Sequence, residues 1–367
     1  MLINSTKAKS PDLILLFAVI GLALFGLAMV YNASVAEAWQ WFGDKYHFVK
    51  LQALWLGIGL TGMALAIFIP LGLVEKTASW WLAVTLILLV AVLVPGLGNQ
   101  ALGARRWLNL GGFSLQPTEL TKLTLGIYLS AWLVKRRPLA KYLLILGLVL
   151  GLVMLQPDLG TAIVIILSSV IVYFISGAEW RYLLLLSVLA GLSGIGLIYS
   201  SAYRRARLLT WLNPAQDPLG SSYHIRQALI TIGSGGLWGL GLGQSRQKYQ
   251  FLPQVTTDSI FAVIAEELGF FLSALVIVWL FLIIYRGLRI SHLAADGFSR
   301  LLAAGISGWL GVQAVVNLSS MLALLPLTGV PLPFVSYGGS SLIISLIWTG
   351  LLLNISRFRL NPKKNDR

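Results

Sequence analysis

The chain has 367 residues, of which 57% are hydrophobic and 11% charged, whereas an ordinary soluble domain carries roughly 25% charged residues. A soluble fold could not bury so much apolar surface, so the composition predicts a polytopic membrane protein. Cysteine is absent and only three histidines occur, which excludes disulfides and thiolate catalysis and makes a zinc cluster an unfavoured interpretation.

Ten apolar runs, each bounded by charged or turn residues, predict an all-α integral membrane protein with about ten transmembrane helices. An even number of spans places both termini on one side. Basic residues of the short loops concentrate on that side, which the positive-inside rule identifies as the cytoplasm. The runs lie at about 13–31, 51–70, 79–94, 117–134, 142–156, 160–177, 182–200, 260–285, 301–321 and 341–356.

The predicted organisation is a single polytopic membrane domain over residues 1–367, with cytoplasmic tails at about 1–12 and 358–367. One large extracytoplasmic loop, at about 201–259, joins spans 7 and 8. Its middle, QALITIGSGGLWGLGLGQ, is too apolar for disorder, so we expect it at the outer membrane face. No GK[ST] follows its glycines, so a nucleotide-binding P-loop is unsupported. The net charge of +14 is attributed to cytoplasmic loops and lipid headgroups, and no nucleic-acid partner is expected.

Two motifs place ionisable residues at membrane depth. Glu119 and Lys122, in QPTELTKL, are spaced i, i+3 on one helix face and can neutralise each other, either as a structural ion pair or as part of a substrate cavity. Asp158, in LQPDLGTA, either caps a helix that starts at Leu159 or serves function.

Asp258 lies where the long external loop meets the eighth span, in LPQVTTDSIFAVIAEELGF. Thr257 or Asp258 could be the N-cap of that span. An ionised carboxylate at the water–membrane boundary is also what a general base for a hydroxyl group requires. Glu266 is about 12 Å further along the helix, too far for a hydrolytic carboxylate pair, and Glu267 is expected to tie helices together.

Basic clusters on the predicted outer side break the positive-inside trend. Arg105 and Arg106 in GARRWLNLGG, and the three arginines of YRRARLLTW, either anchor the protein at headgroups or bind a specific anion such as phosphate. The connection LLPLTGVPLPFVSYGGSSL breaks regular structure at membrane depth. Such backbone is tolerated only when it is buried in protein or lines a wet cavity, so we expect it to form part of a cavity.

Five of these segments together resemble the signatures of the shape, elongation, division and sporulation (SEDS) family. The resemblance extends from about Leu13 to Phe358, and GLGQSRQKYQFLP and TTDSIFAVIAEELGF resemble the FtsW branch more than the RodA branch. The segments are GARRWLNLGGFSLQPTEL, LQPDLGTA, QALITIGSGGLWGLGLGQS, FLPQVTTDSIFAVIAEELGF and LLPLTGVPLPFVSYGGSSL.

The resemblance implies a peptidoglycan glycosyltransferase of the bacterial cytoplasmic membrane that polymerises lipid II at the outer face. It implies septal wall synthesis in cell division with a class B penicillin-binding transpeptidase and other divisome membrane proteins. No cofactor is assigned, and a divalent cation is left open. The family's essential aspartate corresponds to Asp258, but Gln254 and Thr256 stand where members often have glutamate and histidine. The expected substrate-binding residues are Arg105, Arg106, Lys122, Glu119, Asp158, Ser336 and Gly338.

Two alternatives from other classes remain at this point. A flippase or transporter of the same lipid-linked precursor would also use an intramembrane ion pair and a cavity. A non-catalytic division scaffold would need only binding surfaces. A flippase should carry a polar track into the cytoplasmic half, whereas this chain concentrates its polar residues on the predicted outer side.

Overall fold

The computed structural model describes residues 9–101, 104–111, 113–135, 138–213, 222–249 and 251–359. Within these ranges the chain is mainly helical. The helices are α1 (Leu13–Phe42), α2 (His47–Phe68), α3 (Leu71–Ala91), α4 (Pro117–Leu133), α5 (Leu139–Leu155), α6 (Leu159–Ile175), α7 (Trp180–Tyr199), α8 (Ala202–Leu212), α9 (Tyr223–Ser234), α10 (Ile260–His292), α11 (Gly297–Met321) and α12 (Gly339–Arg357).

Each predicted apolar run coincides with a helix, and two further helices, α8 and α9, lie in the long loop. Six helices, namely α1, α2, α3, α10, α11 and α12, are long and apolar enough to cross a membrane, while α5, α6 and most of α7 are shorter apolar helices. Large apolar side chains such as Phe17, Leu65 and Phe281 are more than half exposed. A surface of this kind is stable against lipid and not against water, so the fold is that of a multi-pass membrane protein.

The expectation of an all-α protein is wrong in one respect, because a three-stranded antiparallel sheet lies between α3 and α4. The pairing of β1 with β2 shifts register so that Arg106 is an extra, unpaired residue between Arg105 and Trp107. Strands this short show too few alternations to be distinguished from a loop by periodicity. The strands, in spatial order, are β1 (Gly98–Ala101), β2 (Ala104–Leu110) and β3 (Phe113–Leu115).

Small residues allow the helices to approach closely. A Cβ added at Gly59 of α2 would lie 2.5 Å from Leu346 of α12, and one at Gly350 would lie 2.5 Å from the Met63 carbonyl oxygen. Without a hydrophobic driving force between helices in lipid, contacts of this kind are the main source of helix association. The backbones of α2 and α12 therefore lie close together, and van der Waals packing between them stabilises the pair.

Helix α10 is broken at Gly269, which adopts φ 75° and ψ −176°. The carbonyls of Glu266 and Glu267 lose their helical donors there, and they accept instead from the N–H groups of Leu240 (2.9 Å) and Gly241 (3.0 Å). Phe270 N–H in turn donates to the Gly236 carbonyl at 3.0 Å. The glycine-rich segment, residues 235–243, thus replaces the missing helical hydrogen bonds of α10.

The carboxylates beside this break are fully engaged by the loop that follows the glycine-rich segment. Glu267 accepts from the backbone N–H groups of Gly243 and Ser245 and forms a buried ion pair with Lys248 at 3.1 Å. Glu266 accepts from Ser245 Oγ and the Arg246 N–H. The prediction that Glu267 ties helices together is confirmed, since its carboxylate on α10 also accepts from Asn32 of α1.

The first and last described helices meet at one end of the bundle. Asp12 caps α1, accepting from Leu15 N–H at 3.1 Å, and forms an ion pair with Arg286 near the end of α10. The Asp12 N–H donates to Ser356 Oγ of α12 at 3.0 Å. The starts of α4, α6, α10 and α12 lie at the opposite end, where the predicted site residues are found.

Candidate active site

The interrupted connection, residues 322–338 between α11 and α12, is the scaffold of the site. It contains no regular helix, and residues 332–336 are buried. The Gln52 amide donates to the Ser336 carbonyl (3.2 Å) and accepts from the Gly338 N–H (3.3 Å). A Cβ at Gly26 of α1 would lie 2.4 Å from the Phe334 carbonyl oxygen. This irregular backbone is therefore buried in protein, one of the two settings in which it is tolerated at membrane depth, and the expectation that it forms part of a cavity stays a prediction.

Asp258 is held from two sides. The Tyr337 N–H of the interrupted connection donates to the Thr256 carbonyl at 2.9 Å. The Asn317 side chain of α11 donates to the carbonyls of Asp258 (2.9 Å) and Val330 (2.8 Å). These bonds fix the backbone that carries the carboxylate and leave the carboxylate itself free for other partners.

The interpretation of Thr257 or Asp258 as a helix cap is wrong. Ser259 is the N-cap of α10, and its side chain makes no capping hydrogen bond. The Asp258 carboxylate accepts instead from Thr257 Oγ1 at 2.9 Å, a hydroxyl that also lies 3.0 Å from Gln254 Oε1. Asp258 is 7% exposed, so it is enclosed by protein while keeping contact with the surface.

The electrostatics around Asp258 involve two residues of the long loop. Burial raises the pKa of the Asp258 carboxyl above its ordinary value, and the nearby His224, the Thr257 hydrogen bond and Arg207 oppose that rise. Burial lowers the pKa of His224, while Asp258 raises it and Arg207 lowers it again. A carboxylate with a raised pKa is a stronger base than one in water, which suits it to accept a proton from a hydroxyl group.

Glu119 and Lys122 form the predicted ion pair. The Lys122 Nζ lies 2.6 Å from Glu119 Oε1, and both side chains are buried. The ammonium also donates to Gln313 Oε1 at 2.9 Å and lies 5.0 Å from the centroid of the Trp309 ring. The carboxylate and the amide oxygen each accept from one of the three ammonium donors, and the Trp309 ring lies against the charge. Lys122 is therefore enclosed by protein and not presented at a surface.

Helix α11 connects the ion pair to Asp258. Gln313 accepts from Lys122 and donates to the Pro331 carbonyl at 2.9 Å. Asn317, one turn further along the same face, holds the Asp258 carbonyl. Residues spaced i, i+4 lie above one another on a helix, so one face of α11 supports the ion pair, the interrupted connection and the candidate base.

Asp158 caps α6, which confirms one of the two interpretations of its motif. Its carboxylate accepts from the Thr161 N–H (3.2 Å) and Oγ1 (2.8 Å). Arg106 reaches the same turn from the sheet and donates to the carbonyls of Gln156 (3.1 Å) and Pro157 (2.5 Å). Because a β-bulge redirects the side chain of its extra residue, the bulge at Arg106 explains how a strand residue reaches α6.

The remaining predicted residues occupy the same end of the bundle. Arg105 is partly exposed on β2. Ser336 is buried, with its hydroxyl accepting from the Leu332 N–H at 2.8 Å, and Gly338 directly precedes α12. Ser340 of α12 accepts from the Gln116 N–H and donates to the Ser114 carbonyl. The sheet, the α6 turn, the Asp258 loop and the interrupted connection are thus joined by direct contacts.

Sequence reasoning missed the residues that act on Asp258 from a distance in sequence. No motif in the sequence points to His224, Gln313 or Asn317. The described residues contain no group of three or more His, Cys, Asp or Glu side chains that could hold a metal ion. The sequence feature that could have identified Gln313 and Asn317 is a polar amide within an apolar span.

Comparisons with known proteins agree with this architecture. Residues 13–361 match the model of the FtsW, RodA and SpoVE cell cycle proteins. The chain is 39% identical over 363 residues to stage V sporulation protein E of Bacillus subtilis, covering 96% of this chain and 99% of that protein. It is 40% identical over 353 residues to a probable peptidoglycan glycosyltransferase FtsW of Trichlorobacter lovleyi, covering 94% and 93%.

Two solved structures are similar along nearly the whole chain. A chain of a peptidoglycan synthase complex that coordinates polymerisation and crosslinking has a TM-score of 0.78 at 32% identity, covering 95% of this chain and 98% of that one. The rod shape determining protein RodA of Thermus thermophilus has a TM-score of 0.70 at 31% identity, covering 98% and 100%. The chain therefore belongs to the family of cell cycle proteins that includes FtsW, RodA and SpoVE.

Proposed function

We propose that this protein is a peptidoglycan glycosyltransferase that polymerises lipid II at the outer face of the bacterial cytoplasmic membrane, in septal wall synthesis. Relatives named as probable peptidoglycan glycosyltransferases support the activity. The observation that carries the proposal is the Asp258 carboxylate, enclosed at one end of the bundle, fixed through its backbone by Asn317, and made more basic by burial.

In the proposed reaction, the 4-hydroxyl of an N-acetylglucosamine on one lipid-linked molecule attacks the anomeric carbon of the sugar on another. The hydroxyl's O–H bond breaks and its proton passes to the Asp258 carboxylate. The new glycosidic C–O bond forms as the bond from the anomeric carbon to the lipid pyrophosphate breaks, and pyrophosphate leaves with the electron pair. The roles asked of the protein are a positioned base and cations for the departing charge.

Arg105 and Arg106 of the sheet are the proposed pyrophosphate contacts. Arg106 uses part of its five-donor guanidinium on the α6 turn, which holds it in place and leaves donors for phosphate oxygens. Lys122 and Glu119 are enclosed, so we assign them to supporting α11 beneath Asp258. Asp158, Ser336 and Gly338 are assigned to shaping the floor of the site through the α6 turn and the interrupted connection.

The proposed arrangement in the membrane has ten spans, formed by α1–α7 and α10–α12, with both termini cytoplasmic and the loop at about 201–259 external. All residues then belong to one membrane domain. A class B penicillin-binding transpeptidase and other division membrane proteins are the proposed partners. The similar chain from a peptidoglycan synthase complex supports the first of these.

The test is the substitution Asp258→Asn in purified protein incubated with its transpeptidase partner and lipid II. Asparagine keeps the size of the side chain but cannot accept the proton, so glycan polymerisation should fall by about 10²–10⁴-fold. Binding of lipid II and the thermal unfolding temperature should remain close to those of the parent, because the Asn317 bond is to the backbone at position 258.

Asp44→Asn is the matched control. Asp44 lies at the same end of the bundle between α1 and α2, where its carboxylate forms an ion pair with Lys50 and accepts from the Tyr46 N–H, a bond that asparagine can keep. This variant should polymerise at the parental rate. If Asp258→Asn polymerised lipid II as fast as Asp44→Asn, Asp258 would not be the base, and a flippase or scaffold role would gain support.

A further inference from the structure

His224 lies beside the candidate base although the two are distant in sequence. It is the second residue of α9, and its Nε2 is 2.7 Å from the hydroxyl of Ser259, the residue after Asp258. Charges on His224 and Asp258 act on each other. The preceding stretch FLPQVTT, residues 251–257, contains no ionisable side chain, so the histidine reaches Asp258 from a different element.

The hydrogen bonds of Ser259 determine which ring nitrogen of His224 can titrate. Ser259 Oγ lies 2.9 Å from the Pro253 carbonyl oxygen, an atom that can only accept, so the single hydroxyl hydrogen points there. The Ser259 oxygen must then accept from His224, which places a hydrogen on Nε2. Nδ1 is therefore the atom of His224 that gains or loses a proton.

Two charged groups act on His224, and they come from different parts of the chain. Asp258 precedes α10, and Arg207 projects from α8 with its guanidinium bonded to the Leu327 carbonyl at 2.9 Å. Glu266 and Glu267 of α10 are directed to residues 243–248. Protonated His224 is thus a cation on which the Asp258 carboxylate acts as counter-charge, and its charge stabilises the ionised carboxylate.

We propose that His224 is a positioning residue for the polymerisation reaction, whose ring, held next to Asp258 by the Ser259 hydroxyl, carries a positive charge once Nδ1 is protonated and then favours the ionised carboxylate. The inference rests on the proposed function of Asp258 as base. His224 itself need not touch the substrate, because it acts through the charge of its ring and through the Ser259 bond that holds the ring in place.

The first test is the pH dependence of polymerisation in His224→Gln. The glutamine amide can still donate to Ser259 Oγ but carries no charge, so the pKa of Asp258 should rise. The acid limb of the rate profile should move to higher pH, and a shift of about one unit means about a tenfold lower rate below both midpoints. At alkaline pH, where Asp258 is ionised in both proteins, the two rates should converge.

His47→Gln is the control for this profile. His47 lies at the same end of the bundle but stacks on Phe42, with ring centroids 3.7 Å apart, and its removal should leave the profile unchanged. A uniform fall in the His224→Gln rate at every pH, or an unmoved acid limb, would overturn the proposal, because a purely structural role predicts no pH-dependent effect.

The second test does not depend on activity. The chain has three histidines, so ¹⁵N-histidine labelling in detergent gives few NMR signals, and the one lost in His224→Gln identifies residue 224. Asp258→Asn removes the anion that raises the pKa of His224, so its titration midpoint should fall. An unchanged midpoint would refute the coupling, whereas failure of the parent protein to polymerise lipid II would instead refute the proposed function.

Discussion

At the scale of single residues, the carboxylates near the candidate site are of two kinds. Some form close ion pairs with a lysine, whereas Asp258 has no cation in direct contact among the described residues. Glu119 has Lys122 at 2.6 Å, and Glu267 has Lys248 at 3.1 Å. Asp258 has a hydroxyl donor and more distant cations. Carboxylates in tight pairs are poor proton acceptors, because the cation stabilises the ionised form. Asp258, which lacks a tight cation partner in the described part of the chain, is thus better suited to act as a base than Glu119 or Glu267.

The buried pair leads to a stability prediction. Glu119→Ala should destabilise the protein by about 3–5 kcal/mol, since it leaves the Lys122 charge buried without its counter-ion. The double variant Glu119→Ala with Lys122→Ala should unfold at a higher temperature than the single one, because no uncompensated charge remains. Tryptophan fluorescence during thermal unfolding in detergent measures both.

The exposed pair of Asp44 and Lys50 provides the control for that comparison. Its side chains are 38% and 67% exposed, and an ion pair in that setting contributes about 0–1 kcal/mol. Asp44→Ala should therefore change the unfolding temperature little. Equal unfolding temperatures for the single and double variants of the buried pair would remove the argument that charge compensation holds it.

Residue-level predictions succeeded where the interaction is local in sequence. The i, i+3 spacing of Glu119 and Lys122 fixes their distance within one helix, and the capping of α6 by Asp158 involves the next three residues. The partners of Asp258 could not be found in this way. His224 and Asn317 meet it only because α9 and α11 pack around the start of α10, which no spacing in the sequence encodes.

At the scale of elements, the glycine-rich segment and the break in α10 form one structural unit. Hydrophobic runs predicted the helices well because each helix presents apolar residues to lipid. The break was not predicted, because Gly269 lies within an apolar run and a glycine there is compatible with a continuous helix. The break forms because the backbone of residues 236–241, elsewhere in the chain, supplies the hydrogen bonds that a continuous helix would otherwise make.

This unit predicts a large effect of a small substitution. Gly269→Ala would place a methyl group 2.2 Å from the Gly239 nitrogen in a backbone conformation that L-residues rarely adopt, and it should cost at least about 2 kcal/mol. Gly151→Ala in α5, where an added Cβ meets nothing within 4 Å, should be neutral. A Gly269→Ala protein with the thermal stability of Gly151→Ala would show that the break is not required.

At the scale of the whole molecule, the ends of the bundle are chemically distinct. One end joins α1, α10 and α12 through Asp12, Arg286 and Ser356. The other gathers the sheet, the α6 turn, the Asp258 loop and the interrupted connection. A polymerase acting on a lipid-linked substrate needs its reacting groups where the headgroup lies, so gathering the candidate base and the arginines of the sheet at one end suits that chemistry better than a polar path through the bundle.

The orientation of these ends is the final prediction. The chain has no cysteine, so single substitutions report accessibility to a membrane-impermeant maleimide without background. Arg226→Cys, exposed on α9, should be labelled in intact cells, and Lys76→Cys, exposed on the second turn of α3, only after the membrane is opened. The reason is the excess of basic residues in short loops on the Lys76 side. Labelling of Lys76→Cys alone in intact cells would invert the proposed topology and place the Asp258 end in the cytoplasm, where an external polymerase could not use it.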